Sequence, residues 1–378
     1  MEVLRIHIQL GETLGLDSTT AGIRMIPFTG TCESEIFRGR VLPGGMDTQV
    51  FPEKTRGTLS ARYMLEGVDG EGKKCKLFIE NNAVMESGRE TVTFPSIKTD
   101  SAALKWLETA DLTGAIQGRE DGLDIVISSE DRPGVCHIAL QRGGLTLRGK
   151  LEKPEKTPCP LVLMLHGFGA DSGIFDQLSS HLLPKGYACL RFDFNGHGRS
   201  QGVFSCMNVW NEIEDAAVFL QYAMGLDFVT EIYVVGHSQG GVVSGMLAGL
   251  YPDAVKRLVM LAPAASLQTD ALEGHCMWGR FDPDHIPPAV MVDDRHEVGG
   301  LYFRMAKLLP LYETTAQFKG KALVMFGGKD EVVHREAAEK YMQGFENGEF
   351  CFYPGLNHGM GGPEQMEMAR KLVSFLCD

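Results

Sequence analysis

The sequence predicts two domains of different fold class: a small all-β domain over residues 1–130 and an α/β domain over residues 131–378. In the first part, short apolar or β-branched segments are separated by turns rich in glycine, proline and aspartate. In the second part, apolar segments alternate with segments of helical periodicity, which indicates a mostly parallel sheet with helices on both faces. The length of 378 residues allows about two to three domains.

The strands predicted in the first domain are short, and their spacing is typical of a small all-β barrel. They are Leu4–Leu10, Gly57–Leu65, Lys76–Glu80 and Leu123–Ser128. The convincing helical stretch is Ser101–Glu108, and a linker over Ser128–Gly134 ends the domain.

The second domain opens with a hairpin over Cys136–Gln141 and Leu145–Leu151. The predicted strands of its sheet are Leu161–Leu165, Ala188–Phe192, Ile232–Val235, Leu258–Leu261, Ala322–Phe326 and Phe350–Tyr353. The predicted helices are Phe175–Leu183, Val209–Met224, Gly241–Leu250, Ala337–Phe345 and Gln365–Leu376. The interval from about 264 to 318 is too long for a simple connection, so we interpret it as an inserted cap.

The charge, the apolar segments and the cysteines of the chain argue against a nucleic-acid partner, a membrane location and a metal site. The chain carries 36 basic and 49 acidic residues, a net charge of −13, without the basic face that nucleic acids require. An anionic membrane would repel it, no segment reaches the ~20 apolar residues of a membrane span, and the segment from Met1 lacks a leader pattern. Nine cysteines without a Cys-x-x-Cys pair indicate a reduced, cytoplasmic protein without a metal site.

The segment Gly236-His237-Ser238-Gln239-Gly240-Gly241 follows an apolar strand and opens a helix. A Gly-x-Ser-x-Gly sequence in this context predicts a nucleophile elbow, which exposes the Ser238 hydroxyl at the end of the sheet. The flanking glycines remove side chains that would collide in so tight a turn. The alternative is a serine in a Gly-rich turn without a catalytic role.

A serine hydroxyl needs a general base, and His358 follows the last apolar strand. Asp330 follows the preceding strand and would orient the imidazole of His358 and stabilise its charged form. His358 could instead be a surface histidine, Asp330 could cap a helix, and Glu331 is the rival carboxylate. We prefer Asp330 because of its register after the strand.

Two backbone N–H groups are needed to stabilise an oxyanion. We expect one from Gln239, directly after the nucleophile, and the other from Phe168 in the loop His166-Gly167-Phe168-Gly169. His166 and His237 are interpreted as structural.

Residues from about 136 to 378 resemble the α/β-hydrolase superfamily and, within it, the bacterial cinnamoyl (feruloyl) esterases. The order Ser, Asp, His agrees with that superfamily. The resemblance extends through five further segments, which are Arg191–Gly198, Leu261–Ala265, Asp270–Gly274, Asp282–Pro287 and Leu309–Glu313.

This resemblance implies the catalytic residues Ser238, Asp330 and His358. It also implies that Asp270 and Tyr302 in the cap meet the phenolic hydroxyl of a hydroxycinnamate, with Met277 where the family has a glutamine. From the residues alone, a role for Asp270 as a helix cap is an equally good interpretation.

The first domain resembles a family of small β-barrel domains of unknown function. The matching features are Phe37–Gly45, Asp47, Gln49, Ala61-Arg62-Tyr63 and Trp106-Leu107. Asp47 and Arg62 could line a ligand site, but we favour a role in tying the turns of the barrel together.

These observations predict a cytoplasmic serine carboxylester hydrolase that cleaves small aromatic, hydroxycinnamate-type esters without metal or organic cofactor. The alternatives are a general short-acyl esterase or an acyltransferase. In a further alternative, the barrel binds a glycan or pairs two chains as a homo-oligomer.

Overall fold

The computed structural model describes residues 1–53 and 56–377. Its contacts divide the chain into two compact units, Met1–His137 and Ile138–Asp378.

Strands dominate the first unit. They are β1 Glu2–Leu10, β2 Leu14–Asp17, β3 Gly22–Glu33, β4 Phe37–Val41, β5 Met46–Glu53, β6 Arg56–Asp69, β7 Lys74–Glu86, β8 Val92–Thr99, β9 Leu112–Arg119 and β10 Gly122–Ser129. The sheet runs β1-β10-β9-β8-β7-β6-β4-β3, and pairing of β3 with β1 closes it into an eight-stranded barrel. Strand β5 adds a second bridge between β3 and β6, and β2 pairs with β3.

The barrel interior is built from alternate residues, because successive side chains of a strand point to opposite faces. In β6 and β7 the buried residues include Tyr63, Leu65, Leu77 and Ile79, all in one apolar cluster. A 3₁₀ turn over Lys105–Glu108 supplies buried Leu107 to the same cluster.

The predicted helix over Ser101–Glu108 is wrong in extent, because only its last four residues are helical. The Ser101 hydroxyl donates to Asp69 and accepts from the Leu104 backbone N–H, closing a local turn instead. Strands β3 and β8, which the sequence did not predict, contain Pro27 and Pro95. Proline cannot donate to a sheet, so its presence argues against a strand when only local sequence is considered.

The second unit contains the α/β sheet, with β11 beginning just before its boundary. The strands are β11 Val135–Arg142, β12 Leu145–Glu152, β13 Cys159–Leu165, β14 Ala188–Phe192, β15 Val229–His237, β16 Val255–Leu261, β17 His275–Cys276, β18 Gly279–Arg280, β19 Ala289–Met291, β20 Glu297–Gly299, β21 Lys321–Lys329 and β22 Gly348–Asn357. The helices are α1 Asp176–Leu182, α2 Val209–Met224, α3 Gln239–Leu250, α4 Leu267–Glu273, α5 Gly300–Ala306, α6 Leu311–Thr315, α7 Arg335–Lys340 and α8 Gln365–Cys377.

The main sheet has the order β11-β12-β14-β13-β15-β16-β21-β22. Strands β14, β13, β15, β16, β21 and β22 pair in parallel, whereas β12 is antiparallel to β14. The predicted sheet strands lie within these observed strands. The carboxyl ends of the parallel strands meet at one edge, where ligands bind in sheets of this kind.

Helix α2 has the predicted bounds because its ends are signalled locally. The Asn208 side chain accepts from the Asn211 N–H and the Asn211 side chain accepts from the Asn208 N–H, a reciprocal cap. Gly225 follows the last residue. Buried Ile213 and Ala216 recur at helical spacing and pack into the core.

The interval predicted as a cap lies between β16 and β21, and it contains α4 to α6 together with the small ladders β17–β18 and β19–β20. Across the described ranges, no helix combines the length and the apolar character needed to cross a membrane.

Candidate active site

Ser238 lies on a tight turn between β15 and α3, with a φ of 54° that non-glycine residues rarely adopt. The turn leaves no room for side chains beside it. A Cβ at Gly236 would lie 2.1 Å from the Gly240 carbonyl oxygen, and one at Gly240 would lie 2.2 Å from the His166 carbonyl oxygen. The spacing of these glycines is therefore a steric requirement of the elbow.

The structure brings Ser238, His358 and Asp330 together, although 120 residues separate the first two. The distance from Ser238 Oγ to His358 Nε2 is 2.8 Å, and that from His358 Nδ1 to Asp330 Oδ2 is also 2.8 Å. In this arrangement the imidazole donates its Nδ1 proton to the carboxylate and accepts the serine proton at Nε2. These distances match the geometry of the nucleophile, base and orienting acid in a serine hydrolase triad.

The Asp330 side chain is fully buried, and the residue lies in the loop that follows β21. Burial acts to raise the pKa of Asp330, but hydrogen bonds from His358 and from the Val333 N–H prevail and lower it. Oδ1 also accepts from the Val332 N–H at 2.9 Å. Asp330 is therefore an ionised partner for His358, whereas the rival Glu331 is exposed.

The two residues expected to stabilise an oxyanion both border the serine. Gln239 is the first residue of α3, so its N–H has no acceptor within the helix. Phe168 lines the same cavity as Ser238 and Gln239. The preceding Gly167 approaches so closely that a Cβ there would lie 2.9 Å from Ser238 Cβ.

Two other histidines near Ser238 bond to backbone groups, which fits a structural role. His166 Nε2 accepts from the Phe194 N–H, and its Nδ1 donates to the Gly167 carbonyl oxygen. Burial lowers the pKa of His166 to about 4, so it is neutral near pH 7. His237 Nε2 lies 2.8 Å from the His358 carbonyl oxygen and holds the histidine loop in place.

A narrow cavity of about 50 Å³ extends from Ser238 into the cap. It is lined by Phe168, Ser238, Gln239, Ala264, Ser266, Leu267, Asp270, His275, Cys276, Met277, Tyr302, Phe303, Val332 and Val333. The three residues predicted to contact substrate, Asp270, Tyr302 and Met277, are all among them.

Asp270 lies within α4, and its carboxylate accepts from the Ser266 hydroxyl at 3.0 Å rather than capping the helix. Burial raises the pKa of Asp270, which is the direction expected for a carboxylate at the edge of an apolar cavity. Met277 has a φ of 50° in the turn that joins β17 to β18.

A buried chain of polar side chains behind the cavity was missed by the sequence reasoning. Tyr302 donates its hydroxyl to Gln239 Oε1 at 2.7 Å, and Gln239 Nε2 donates to Glu212 at 2.8 Å. Glu212 is 1% exposed, and burial raises its pKa to about 8. The sequence signal that could have revealed this chain is Glu212, an acidic residue on the apolar face of the predicted helix Val209–Met224.

An open cleft of about 590 Å³ lies beside this cavity and shares Asp270, His275, Met277 and Val332 with it. Trp278 lines this cleft and is 73% exposed.

Comparison with known protein families gives a separate match for each of the two units. Residues 156–283 match the protein family described as serine aminopeptidase, S33. Residues 2–129 match a family described as a protein of unknown function (DUF3237).

Among solved structures, Est1E from Butyrivibrio proteoclasticus with ferulic acid bound is 29% identical, with a TM-score of 0.61. That match covers 63% of this chain and 97% of Est1E. Human serine hydrolase-like protein 2 is 28% identical over 174 residues, 44% of this chain and 53% of that protein. The protein phosphatase methylesterase 1 of Candida albicans is 32% identical over 110 residues, 29% of this chain and 30% of that protein. The chain thus spans about a third to a half of the length of these two curated relatives.

The second unit therefore has the α/β-hydrolase fold, and Ser238, His358 and Asp330 are arranged within it as in a serine hydrolase. The first unit is a closed β-barrel that carries the DUF3237 match.

Proposed function

We propose that the protein hydrolyses carboxylic esters through an acyl-enzyme formed on Ser238. The observation that carries this proposal is the pair of 2.8 Å contacts that join Ser238, His358 and Asp330. His358 Nε2 takes the proton of the Ser238 hydroxyl as its oxygen attacks the ester carbonyl. Ionised Asp330 stabilises the imidazolium that forms.

The tetrahedral oxyanion is held by the N–H groups of Gln239 and Phe168. His358 then returns its proton to the leaving alcohol, and the carbon–oxygen bond of the ester breaks. Water enters, loses a proton to His358 Nε2 and attacks the acyl-enzyme. The serine oxygen regains the proton as the acid departs, which restores the starting state.

The substrate class proposed is an ester of a hydroxycinnamic acid. Supporting this choice are the similarity to Est1E, which was solved with ferulic acid, and the cavity between the serine and Asp270. Asp270 would accept a hydrogen bond from the ring hydroxyl. The Tyr302 hydroxyl already donates to Gln239, so toward a ligand it would serve as an acceptor.

A short-acyl ester is the second candidate, and the size of the cavity favours it. The volume of about 50 Å³ is small beside the ~150 Å³ of a cavity that binds benzene. A hydroxycinnamoyl group would require the cap residues around Met277 to move, whereas an acetyl group would not.

Measuring kcat/KM for methyl ferulate, methyl cinnamate and nitrophenyl acetate separates these candidates. Ser238→Ala should lower kcat by roughly 10⁴–10⁶-fold, and Ser180→Ala, at an exposed serine of α1, is the matched control. Preference for methyl ferulate supports the hydroxycinnamate proposal, and preference for the acetate supports the second candidate. Near-normal turnover by Ser238→Ala would overturn both.

A further inference from the structure

The polar chain behind the cavity holds the side chain of the residue that follows the nucleophile. Gln239 is 2% exposed, and both ends of its side-chain amide are hydrogen-bonded. Its Oε1 accepts from the Tyr302 hydroxyl at 2.7 Å, and its Nε2 donates to Glu212 Oε2 at 2.8 Å. Glu212 lies on α2, Gln239 opens α3 and Tyr302 lies on α5 of the cap. Three separate helices therefore fix this one side chain.

Burial sets the direction of these hydrogen bonds. Tyr302 is 5% exposed, and burial raises the pKa of its hydroxyl well above the ordinary value, so the hydroxyl keeps its proton and donates it. The amide oxygen of Gln239 therefore accepts, and its NH₂ group is left to donate to the Glu212 carboxyl. Removing either partner would leave a buried polar atom of Gln239 without a hydrogen bond and without access to water.

The peptide between Ser238 and Gln239 needs such support. Ser238 has φ 54° and ψ −121°, a strained combination that persists only where its surroundings hold it. The Ser238 N–H donates to the Leu261 carbonyl oxygen at 2.9 Å, which holds the turn on the strand side. The Ser238 carbonyl oxygen accepts from the N–H groups of Gly241 and Ala264, which sets the direction in which this peptide faces. The anchored side chain of Gln239 fixes the other end of the same peptide.

We propose that Tyr302 and Glu212 are positioning residues for the oxyanion hole, because they hold the Gln239 side chain and thereby the Gln239 backbone N–H. This inference rests on the proposed ester hydrolysis. Groups that stabilise a reacting atom must be held within about 0.5 Å of the productive geometry. Loss of one oxyanion donor lowers kcat by about 10²–10³-fold, so a displaced donor should lower it by about 10–100-fold. Tyr302 would then contribute to the hydrolysis of esters that have no ring hydroxyl.

Kinetics of Tyr302→Phe separates this role from a contact with the substrate ring. The substitution removes one oxygen atom and leaves Gln239 Oε1 without its donor. We expect kcat for nitrophenyl acetate and methyl cinnamate, neither of which carries a phenolic hydroxyl, to fall about 10–100-fold with little change in KM. Tyr312→Phe is the matched control and should keep the parent kcat. It removes a hydroxyl that donates to the Ala337 carbonyl oxygen, and Tyr312 does not line the cavity.

A double-mutant cycle tests whether Tyr302 acts through Gln239. Gln239→Met removes the side-chain amide and keeps the backbone N–H. Tyr302→Phe should lower kcat in the parent but change it about two-fold or less in the Gln239→Met background. At the other end of the chain, Glu212→Gln keeps an acceptor for Gln239 and should retain about ten-fold more activity than Glu212→Leu, which removes it.

Thermal melts of each variant show whether it is folded at the assay temperature. A folded Tyr302→Phe with the parent kcat, a change confined to KM for methyl ferulate, or an equal loss of kcat in the Gln239→Met background would overturn the proposal. If Tyr302→Phe fails to fold, the comparison of Glu212→Gln with Glu212→Leu decides, and equal kcat for these two would overturn it. Near-normal turnover by Ser238→Ala would instead overturn the proposed function itself.

Discussion

The buried carboxyl of Glu212 should make the stability of the second unit fall as the pH rises. Its pKa is about 8 in the folded protein against an ordinary value of 4.5. Between these values the folded state binds more protons than the unfolded state, so the free energy of unfolding decreases with pH. A difference of about 3.5 pKa units corresponds to about 5 kcal/mol once the pH exceeds 8.

Glu212→Gln removes this titration while keeping the shape of the side chain and an oxygen that accepts from Gln239. We expect the variant to be more stable than the parent at pH 8 by an amount on the order of 1–5 kcal/mol, with the difference vanishing near pH 4.5. Because the protein around the charged carboxylate can relax, about 5 kcal/mol is the upper limit of this stability difference.

Urea unfolding of the full chain at pH 5 and pH 8 measures the effect, with the transition of the second unit followed separately because two units can unfold independently. Glu214→Gln is the matched control, since Glu214 lies on the same helix and is 67% exposed. An equal stability difference at both pH values, or a loss of stability at pH 8, would refute the reasoning.

Three further outcomes are expected. Asp330→Asn should lower kcat by about 10⁴-fold with little change in fold, because an amide does not hold His358 in the required tautomer. Steady-state kinetics measures the change in kcat and circular dichroism checks the fold. A decrease in kcat of less than ten-fold would contradict the prediction. Asp270→Asn should reduce kcat/KM for methyl ferulate about 10–100-fold and spare methyl cinnamate, the effect of losing about 1.5–3 kcal/mol from one hydrogen bond to a charged acceptor; equal losses on both esters would indicate a structural role. Gly240→Ala should abolish activity and lower Tm, because its methyl group would lie 2.2 Å from the His166 carbonyl oxygen; a parent-like Tm in a thermal melt would show that the elbow can relax.

Local sequence determined the elements whose signals lie within a few residues. The bounds of α2 follow from its cap at Asn208 and its apolar periodicity. The elbow follows from glycines two residues either side of Ser238, because only a backbone without side chains fits so tight a turn. The order and spacing of strands and helices was enough to predict a mostly parallel sheet with helices on both faces and, before it, a barrel. The resemblance of residues from about 136 to 378 then implied the α/β-hydrolase fold.

Tertiary structure decided what depends on residues distant in sequence. Asp330 and Glu331 are adjacent, and only the packing of the loop after β21 shows which one contacts His358. The chain from Glu212 through Gln239 to Tyr302 joins three helices, so no local pattern predicts it. The burial of Asn81 inside the barrel arises from strand register, which long-range pairing sets.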